Sequence, residues 1–286
     1  MYALVKAKQD LDFNNNLVQL IDVIKGIASA QYRVMEKQRE YFGTYLNAFE
    51  DFFSMINLFD VHHPYIKSES PVAGIVMVTS DAGFMGGLNT RVIELALDVF
   101  KDREKHLIVL GERGADYLRD MGLNFKFFPG VAEREKRDEQ IEQLKKYLTE
   151  IVNKKEVGSI SISYPRSISF TVQKVEIVEV LPFDKAFQHK ERKPLEKKVI
   201  LESKEEKILE YLVEVWITYK LYEVFEDSKL SEFSARTIHL EQSYQDLSRF
   251  NRLLRFKYFR SHHEVIDKSM RETFASRLLA KRARNL

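Results

Sequence analysis

Cysteine is absent from this chain of 286 residues, which excludes a disulfide framework, a thiolate metal site and a thiol switch. The absence also fits a reducing compartment. An excess of either charge sign is lacking too. With 45 basic and 43 acidic side chains the net charge is +2, which points to neither nucleic acid nor membrane lipid, and no nucleic-acid partner is expected. No run approaches the roughly 20 apolar residues of a membrane-spanning helix, so direct membrane insertion is not expected. The opening residues, Met1 to Asp10, hold no apolar signal core and include an acid, so no secretory or import signal is expected there. Helix breakers are scarce, with six prolines and eleven glycines. What the chain does have is 44% hydrophobic and 31% charged residues, the balance of a core-forming protein with long solvated helices.

The breakers divide the chain into three blocks. Residues 1–63 hold only Gly26 and Gly43; all six prolines and the other nine glycines lie between Pro64 and Pro194; none follows Leu195. Proline costs about 3 kcal/mol inside a helix and glycine about 1 kcal/mol, so the outer blocks can form very long helices. In the first block, alternate steps of three and four from Leu17 reach Leu20, Ile24, Ile27, Gln31, Val34, Gln38, Tyr41, Tyr45, Ala48, Phe52 and Met55. Only the two glutamines interrupt this apolar seam, which predicts a coiled-coil helix over about residues 12–58, roughly 70 Å long. The last block carries a matching ladder, Leu240, Tyr244, Leu247, Asn251, Leu254, Tyr258, Ser261 and Val265, with apolar positions continuing at Met270, Phe274 and Leu278. Upstream, Leu209, Leu212, Trp216, Tyr219, Tyr222 and Phe225 form a broader face suited to packing on a sheet. The polar run Asp227 to Glu232 suggests a local irregularity between the two halves. Either block alone reads equally as an ordinary bundle helix; two such seams at opposite chain ends favour an antiparallel pair.

The middle block changes period. Gly74 to Thr79 and Leu107 to Leu110 read as short buried strands, with a helix over Leu88–Phe100 between them, a parallel strand–helix–strand unit. A short helix (Gly114–Asp120), a strand (Phe125–Phe128), a helix (about 138–153), a strand (Ser159–Ser163) and a half-exposed strand (Thr171–Leu181) follow. The expected fold class is α/β, a Rossmann-like domain with a sheet of about five strands between the two ends of a long antiparallel coiled coil. The expected divisions are residues 1–63, 64–200 and 201–286.

The most specific local feature directly follows the first strand: Thr79-Ser-Asp-Ala-Gly83-Phe-Met-Gly86-Gly87-Leu-Asn89. Gly83, Gly86 and Gly87 permit tight backbone turns where a strand leads into a helix, and Asn89 or Thr90 can cap that helix. A phosphate site is the competing reading. No lysine follows the glycines as a P-loop requires, and their spacing is not that of a dinucleotide fingerprint. The glycines and Asn89 are therefore expected to build a structural turn. Neither His62-His63 nor His262-His263 suits a metal, because neighbouring residues on a helix point about 100° apart. No nucleophile has plausible triad partners in the sequence and no carboxylate pair sits in a recognisable catalytic setting. Catalytic, cofactor and metal residues are all expected to be none.

The same glycine stretch closely resembles the T-S-D-[RK]-G-L-C-G-G-x-N signature of the gamma subunits of F-type ATP synthases. Ile27-Ala-Ser-Ala-Gln-Tyr-Arg33 is similar to that family's V-A-A-S-K-x-R, and Ser163-Tyr164 through Val180-Leu181-Pro182 to its Y-N…L-L-P. Glu202-Ser-Lys-Glu-Glu206, Tyr219-Lys-Leu-Tyr222 and Ser231-Glu-Phe-Ser-Ala-Arg236 are similar to its E-P-S…E, Q-L-Y and S-E-x-x-A-R. The resemblance spans nearly the whole chain. Ala82 replaces the usual basic residue, His262-His263 stand near the family's R-Q, His239-Leu-Glu241 replaces A-M-K, and the chain ends Ala280-Lys-Arg-Ala-Arg-Asn-Leu286, marks of a divergent member.

The resemblance implies a central-stalk rotor shaft that couples ion-driven rotation of a membrane ring to ATP synthesis or hydrolysis in a catalytic head. Its implied partners are the catalytic and non-catalytic head subunits, an epsilon-type stalk subunit and the ion-carrying ring. Nucleotide and Mg²⁺ would belong to those partners. The implied location is the cytoplasmic face of the cell membrane, with an organelle matrix as the alternative. Exposed polar groups flanking the seams, Gln31, Arg33, Lys37, Arg260, His262, His263 and Glu264, are the candidate head contacts. Three other readings stay open: a coiled-coil scaffold, a nucleotide-binding α/β enzyme with helical extensions, and the shaft of a rotary ATPase not used for synthesis.

Overall fold

The computed structural model describes residues 2–39, 63–68, 70–182 and 204–283. Among the described residues ten elements follow one another: α1 (Tyr2–Arg39), β1 (Ala73–Val78), α2 (Leu88–Val99), β2 (Lys105–Leu110), α3 (Glu112–Asp120), β3 (Lys126–Phe128), α4 (Arg134–Asn153), β4 (Ser159–Ser167), β5 (Gln173–Leu181) and α5 (Glu205–Ala283). The expected boundary at residues 200/201 lies outside the described residues, as do Tyr41, Tyr45, Ala48, Phe52, Met55 and His62. Two compact units result, one of residues 28–236 and one of residues 1–27 with 237–286.

The larger unit is built on a five-stranded sheet of order β3-β2-β1-β4-β5. β1 lies in its middle because all six of its residues are apolar or glycine and all are buried, the signature of a parallel strand covered on both faces. It pairs parallel with β2 on one side and β4 on the other; β3 is parallel to β2, and β5 is antiparallel to β4. The two-residue period of the strands then sorts the core into two layers. Val76, Val78, Ile108, Leu110, Ile160 and Ile162 face α4 and the Leu209–Phe225 stretch of α5. Ile75, Met77, Leu107 and Val109 face α2 and α3. The expected α/β domain is met, with β4 running four residues further and α4 starting earlier than its apolar pattern suggested.

The expected irregularity at Asp227–Glu232 is not there: α5 runs unbroken from Glu205 to Ala283. The run is polar yet buried. Asp227, Ser228, Lys229 and Ser231 are all buried, and Ser231 Oγ donates to Pro165 O at 3.0 Å.

In the smaller unit α1 lies antiparallel to the later part of α5. Asn15 pairs with Asn251 (2.6 Å) and Lys25 with Glu241 (3.0 Å), and Asn14 Nδ2 donates to Leu247 O at 3.2 Å. The Leu240 ladder is the seam: Leu240 and Leu254 are buried and Tyr244, Leu247, Asn251, Tyr258, Ser261 and Val265 half-buried. The Leu17 ladder is not the corresponding seam on α1. Leu20, Ile27 and Val34 are all more than half exposed. The side chains turned inward lie on a neighbouring ladder, Ala7, Leu11, Asn14, Val18, Ile21 and Lys25, continued in the larger unit by Ala28, Tyr32 and Met35. Hydropathy favours the wrong ladder because the right one contains Asn14 and Lys25. Both are satisfied across the seam, Asn14 by a carbonyl and Lys25 by Glu241 and the face of Tyr244 at 4.4 Å.

Candidate functional site

The glycine loop closes on itself. Thr79 leaves β1 and its Oγ1 donates to Leu110 O (2.6 Å) while accepting from Gly114 N (3.1 Å). Asp81 accepts from Glu112 N and Gly130 N, each at 3.0 Å, and Ser80 O accepts from Arg113 N at 3.1 Å. Three backbone donors at the start of α3 are thus taken by the loop's own residues. Asn89 does not cap α2; Gly87 occupies the cap position, and Asn89 instead donates to Ser80 Oγ (3.0 Å) and accepts from Ser80 N (3.3 Å). Gly86 has φ +59, a region that favours glycine. Gly83 O accepts from Arg236 Nε at 3.3 Å, tying the loop to α5.

Sequence reading missed Asp81 and Arg236 as members of this network. The signal was available in the pattern T-S-D, a short polar run directly after a buried strand, but the partners lie 31 to 153 positions away. Beside the loop lies an open cleft of about 420 Å³, lined by Phe84, Asn89, Thr90, Arg113 and Tyr117 among others. Phe84 is half exposed and held at φ +66, an uncommon backbone state for an aromatic residue.

At the other end of α5 the register set by Asn15–Asn251 and Lys25–Glu241 carries Tyr2, the start of α1, opposite residue 264. Residues 266–281 are all exposed, including Met270, Phe274, Leu278 and Leu279. Among the described residues no group of three or more His, Asp or Glu could hold a metal ion, and no helix is long and apolar enough to cross a membrane.

A family model described as ATP synthase matches residues 6–276. The chain belongs to the ATP synthase family. Its relatives include the ATP synthase gamma chain of Clostridium acetobutylicum, 25% identical over 287 residues that cover 94% of this chain and 95% of that one. The gamma chain of Clostridium pasteurianum is 26% identical over 200 residues, 69% of each chain. The fold is also that of a chain in the Euglena gracilis mitochondrial ATP synthase solved with OSCP, F1 and c-ring, with TM-score 0.72, 17% identity and coverage of 99% and 96%. The family and the fold expected from the glycine signature and the three-block layout are both met.

Within this ATP synthase chain the candidate head contacts fall in different units. Gln31, Arg33 and Lys37 lie on α1 in the larger unit, Gln31 half-buried and the other two exposed. Arg260, His262, His263 and Glu264 lie on α5 in the smaller one. Arg260 and Glu264 pair with each other at 3.2 Å across one helical turn, both largely exposed. His262 is half-buried, its ring 6.0 Å from that of Tyr258, whereas His263 points to solvent. His63 accepts from Tyr65 N at 3.3 Å and meets Glu210 at 3.5 Å, which gives it a local anchoring role.

Proposed function

We propose that this chain is the central rotor shaft of an F-type ATP synthase and performs no bond chemistry itself. One observation carries the reading. From residue 266 to 281, α5 is a fully exposed helix bearing Ile266, Met270, Phe274, Leu278 and Leu279. Five large apolar side chains on one exposed helix call for a surrounding partner. A head of catalytic and non-catalytic subunits closed around this segment supplies one. The two long helices are the shaft, and the α/β domain is the foot that meets the epsilon-type subunit and the ion-carrying ring, on the cytoplasmic face of the membrane.

A shaft acts through differential contact. As it turns, its uneven surface favours different conformations of the surrounding subunits in sequence, which is how one rigid body drives an equilibrium at distant sites. Gln31, Arg33, Lys37, Arg260, His262, His263 and Glu264 are proposed as polar head contacts, which can be exchanged during rotation at small cost. The glycine loop, with Gly83, Gly86, Gly87 and Asn89, is structural. Nucleotide and Mg²⁺ are held by the partners.

The test is a photoreactive phenylalanine analogue in place of Phe274 within the assembled complex. Illumination should join this chain to the head's nucleotide-binding subunits. Products containing only ring or peripheral subunits would exclude the seating proposed here.

A further inference from the structure

The lower part of α5 meets the α/β domain in two chemically different ways. From Leu209 to Phe225 the contact is apolar: Leu209, Leu212, Val213, Ile217, Leu221 and Phe225 enter the core with Ile141, Leu144 and Leu148 of α4. Apolar contact opposes separation but is non-directional, so by itself it resists sliding and turning of a smooth helix weakly. From Tyr222 to Lys229, about two turns, polar contacts join it. Tyr222 Oη donates to Asp138 Oδ1 at 2.6 Å, Arg137 pairs with Glu226, and Lys229 lies 3.5 Å from Glu133. As the α5 partner advances from 222 to 226 to 229, the α4 partner retreats from 138 to 137 to 133. These are successive rungs of one antiparallel ladder at the start of α4.

The rungs are dry. The side chains of Arg137, Glu226 and Lys229 are 5%, 14% and 10% exposed. A buried ion pair contributes little net stability compared with a well-packed apolar pair of the same volume, because both charges lose their hydration. It does impose direction, since a guanidinium and a carboxylate bond only in fixed relative orientations. Stability alone therefore does not account for the buried Arg137–Glu226 pair; fixing the angle and height of α5 does.

We propose that the ladder Tyr222–Asp138, Glu226–Arg137 and Lys229–Glu133 is the grip through which the α/β domain passes torque to α5. This rests on the central-shaft reading. In a rotor the load on that joint is a twist about the helix axis, and directional bonds set off the axis resist it. Arg137, Glu226 and Lys229 are thus positioning residues for coupling, with no part in the chemistry.

The experiment replaces the central rung with an apolar pair, Arg137→Met with Glu226→Leu, in the complete complex reconstituted in vesicles. ATP hydrolysis and the membrane potential it builds are recorded together with an oxonol dye, which responds whichever cation is pumped. The expected result is unchanged assembly and melting, near-parental hydrolysis without a gradient, and a loss of potential built per ATP hydrolysed. The charge-exchanged pair, Arg137→Glu with Glu226→Arg, should recover part of the loss. A stable apolar variant that couples like the parent overturns the grip. Failure of the unmodified chain to join any ATPase head overturns the shaft reading instead. Should the apolar variant not assemble, amide exchange on the isolated full chain decides: faster exchange through residues 222–236 supports the grip, and unchanged protection overturns it.

Discussion

Asn251 donates through Nδ2 to Asn15 Oδ1 at 2.6 Å across the helix seam, while its own Oδ1 is buried without a hydrogen-bond partner. The bond fixes which turns of α1 and α5 lie opposite each other, and the orphaned oxygen lowers its net worth. A polar residue at such a seam position sets register at a cost in stability. Asn251→Leu should therefore raise the stability of the paired helices by about 1 kcal/mol, the size of an unmet buried polar group. Thermal melting followed by circular dichroism at the helix band checks this. A lower melting temperature would mean that the Asn15 bond outweighs the orphan.

The crowding around Thr79 predicts a graded set of glycine substitutions. A Cβ on Gly114 would lie 2.4 Å from Thr79 Oγ1, and one on Gly111, at φ +98, would lie 2.6 Å from Thr79 O. Each alanine variant should lose on the order of 2–3 kcal/mol, the usual range for forced backbone or packing strain. Gly86→Val should cost less, about 1 kcal/mol, because only its positive φ resists. Gly87 has ordinary φ and nothing within 4 Å of a Cβ, so alanine there should be within ~0.5 kcal/mol of the parent. Denaturant titration of the four variants orders them. A tolerant Gly114→Ala would show that Thr79 can move aside.

Asp81 joins the turn after β1 to the loop before α4 by accepting from Glu112 N and Gly130 N. Asp81→Ala removes both hydrogen bonds; water can replace the one to exposed Glu112 N, so the cost should be about 1–2 kcal/mol, mostly from Gly130 N. Asp81→Asn keeps one acceptor oxygen and should retain part of that. Equal losses in the two variants would argue that the carboxylate acts through its charge.

Tyr222 is pushed up to about 12, first by burial and then by its hydrogen bond to Asp138. The folded state prefers the neutral phenol more than the unfolded chain does. The resulting stabilisation is complete below the ordinary tyrosine value near 10 and is lost as pH rises from about 10 toward 12. Tyr222→Phe should remove this part of the alkaline destabilisation while lowering stability at pH 8 through the lost hydrogen bond. Urea midpoints measured at pH 8, 10 and 11 test both signs. Parallel curves for parent and variant would assign the alkaline loss to other groups.

Much of the fold was legible because it depends on local pattern. β1 reads as a buried central strand from six residues, and the breaker-free stretch after Leu195 reads as a long helix. The Leu240 ladder could be read for the same reason: its buried positions are mostly apolar. The α1 seam was misread by one position because Asn14 and Lys25 look like surface residues until Leu247 and Glu241 are placed opposite them. The run Asp227–Glu232 looked like a break because its partners Pro165 and Glu133 are distant in sequence. Around the glycine loop the turn was legible and its wiring was not. Asp81 and Arg236 act through backbone groups, and any residue can supply a backbone group, so no composition signal marks the partner.

The exposed end of α5 separates what the isolated chain needs from what the complex needs. Met270 and Phe274 are 66% and 69% exposed, and Leu278 is 57% exposed. Changing all three to serine should leave the melting of the isolated chain within ~0.5 kcal/mol per site of the parent, since little folded surface is lost. Seated inside a head, each side chain would contribute on the order of 1.5–3 kcal/mol through burial. The triple variant should then bind the head less tightly and turn over ATP more slowly, with the foot still attached to its ring. Co-purification of head subunits at rising salt, alongside hydrolysis by the assembled complex, measures both. Salt should aid the parent's contact or leave it unchanged, because an apolar seat is not screened, whereas polar contacts such as those proposed for Arg260 and Glu264 weaken as ionic strength rises. A triple variant that holds the head as firmly as the parent would show that this segment is not seated there, and would leave the polar groups as the principal contact.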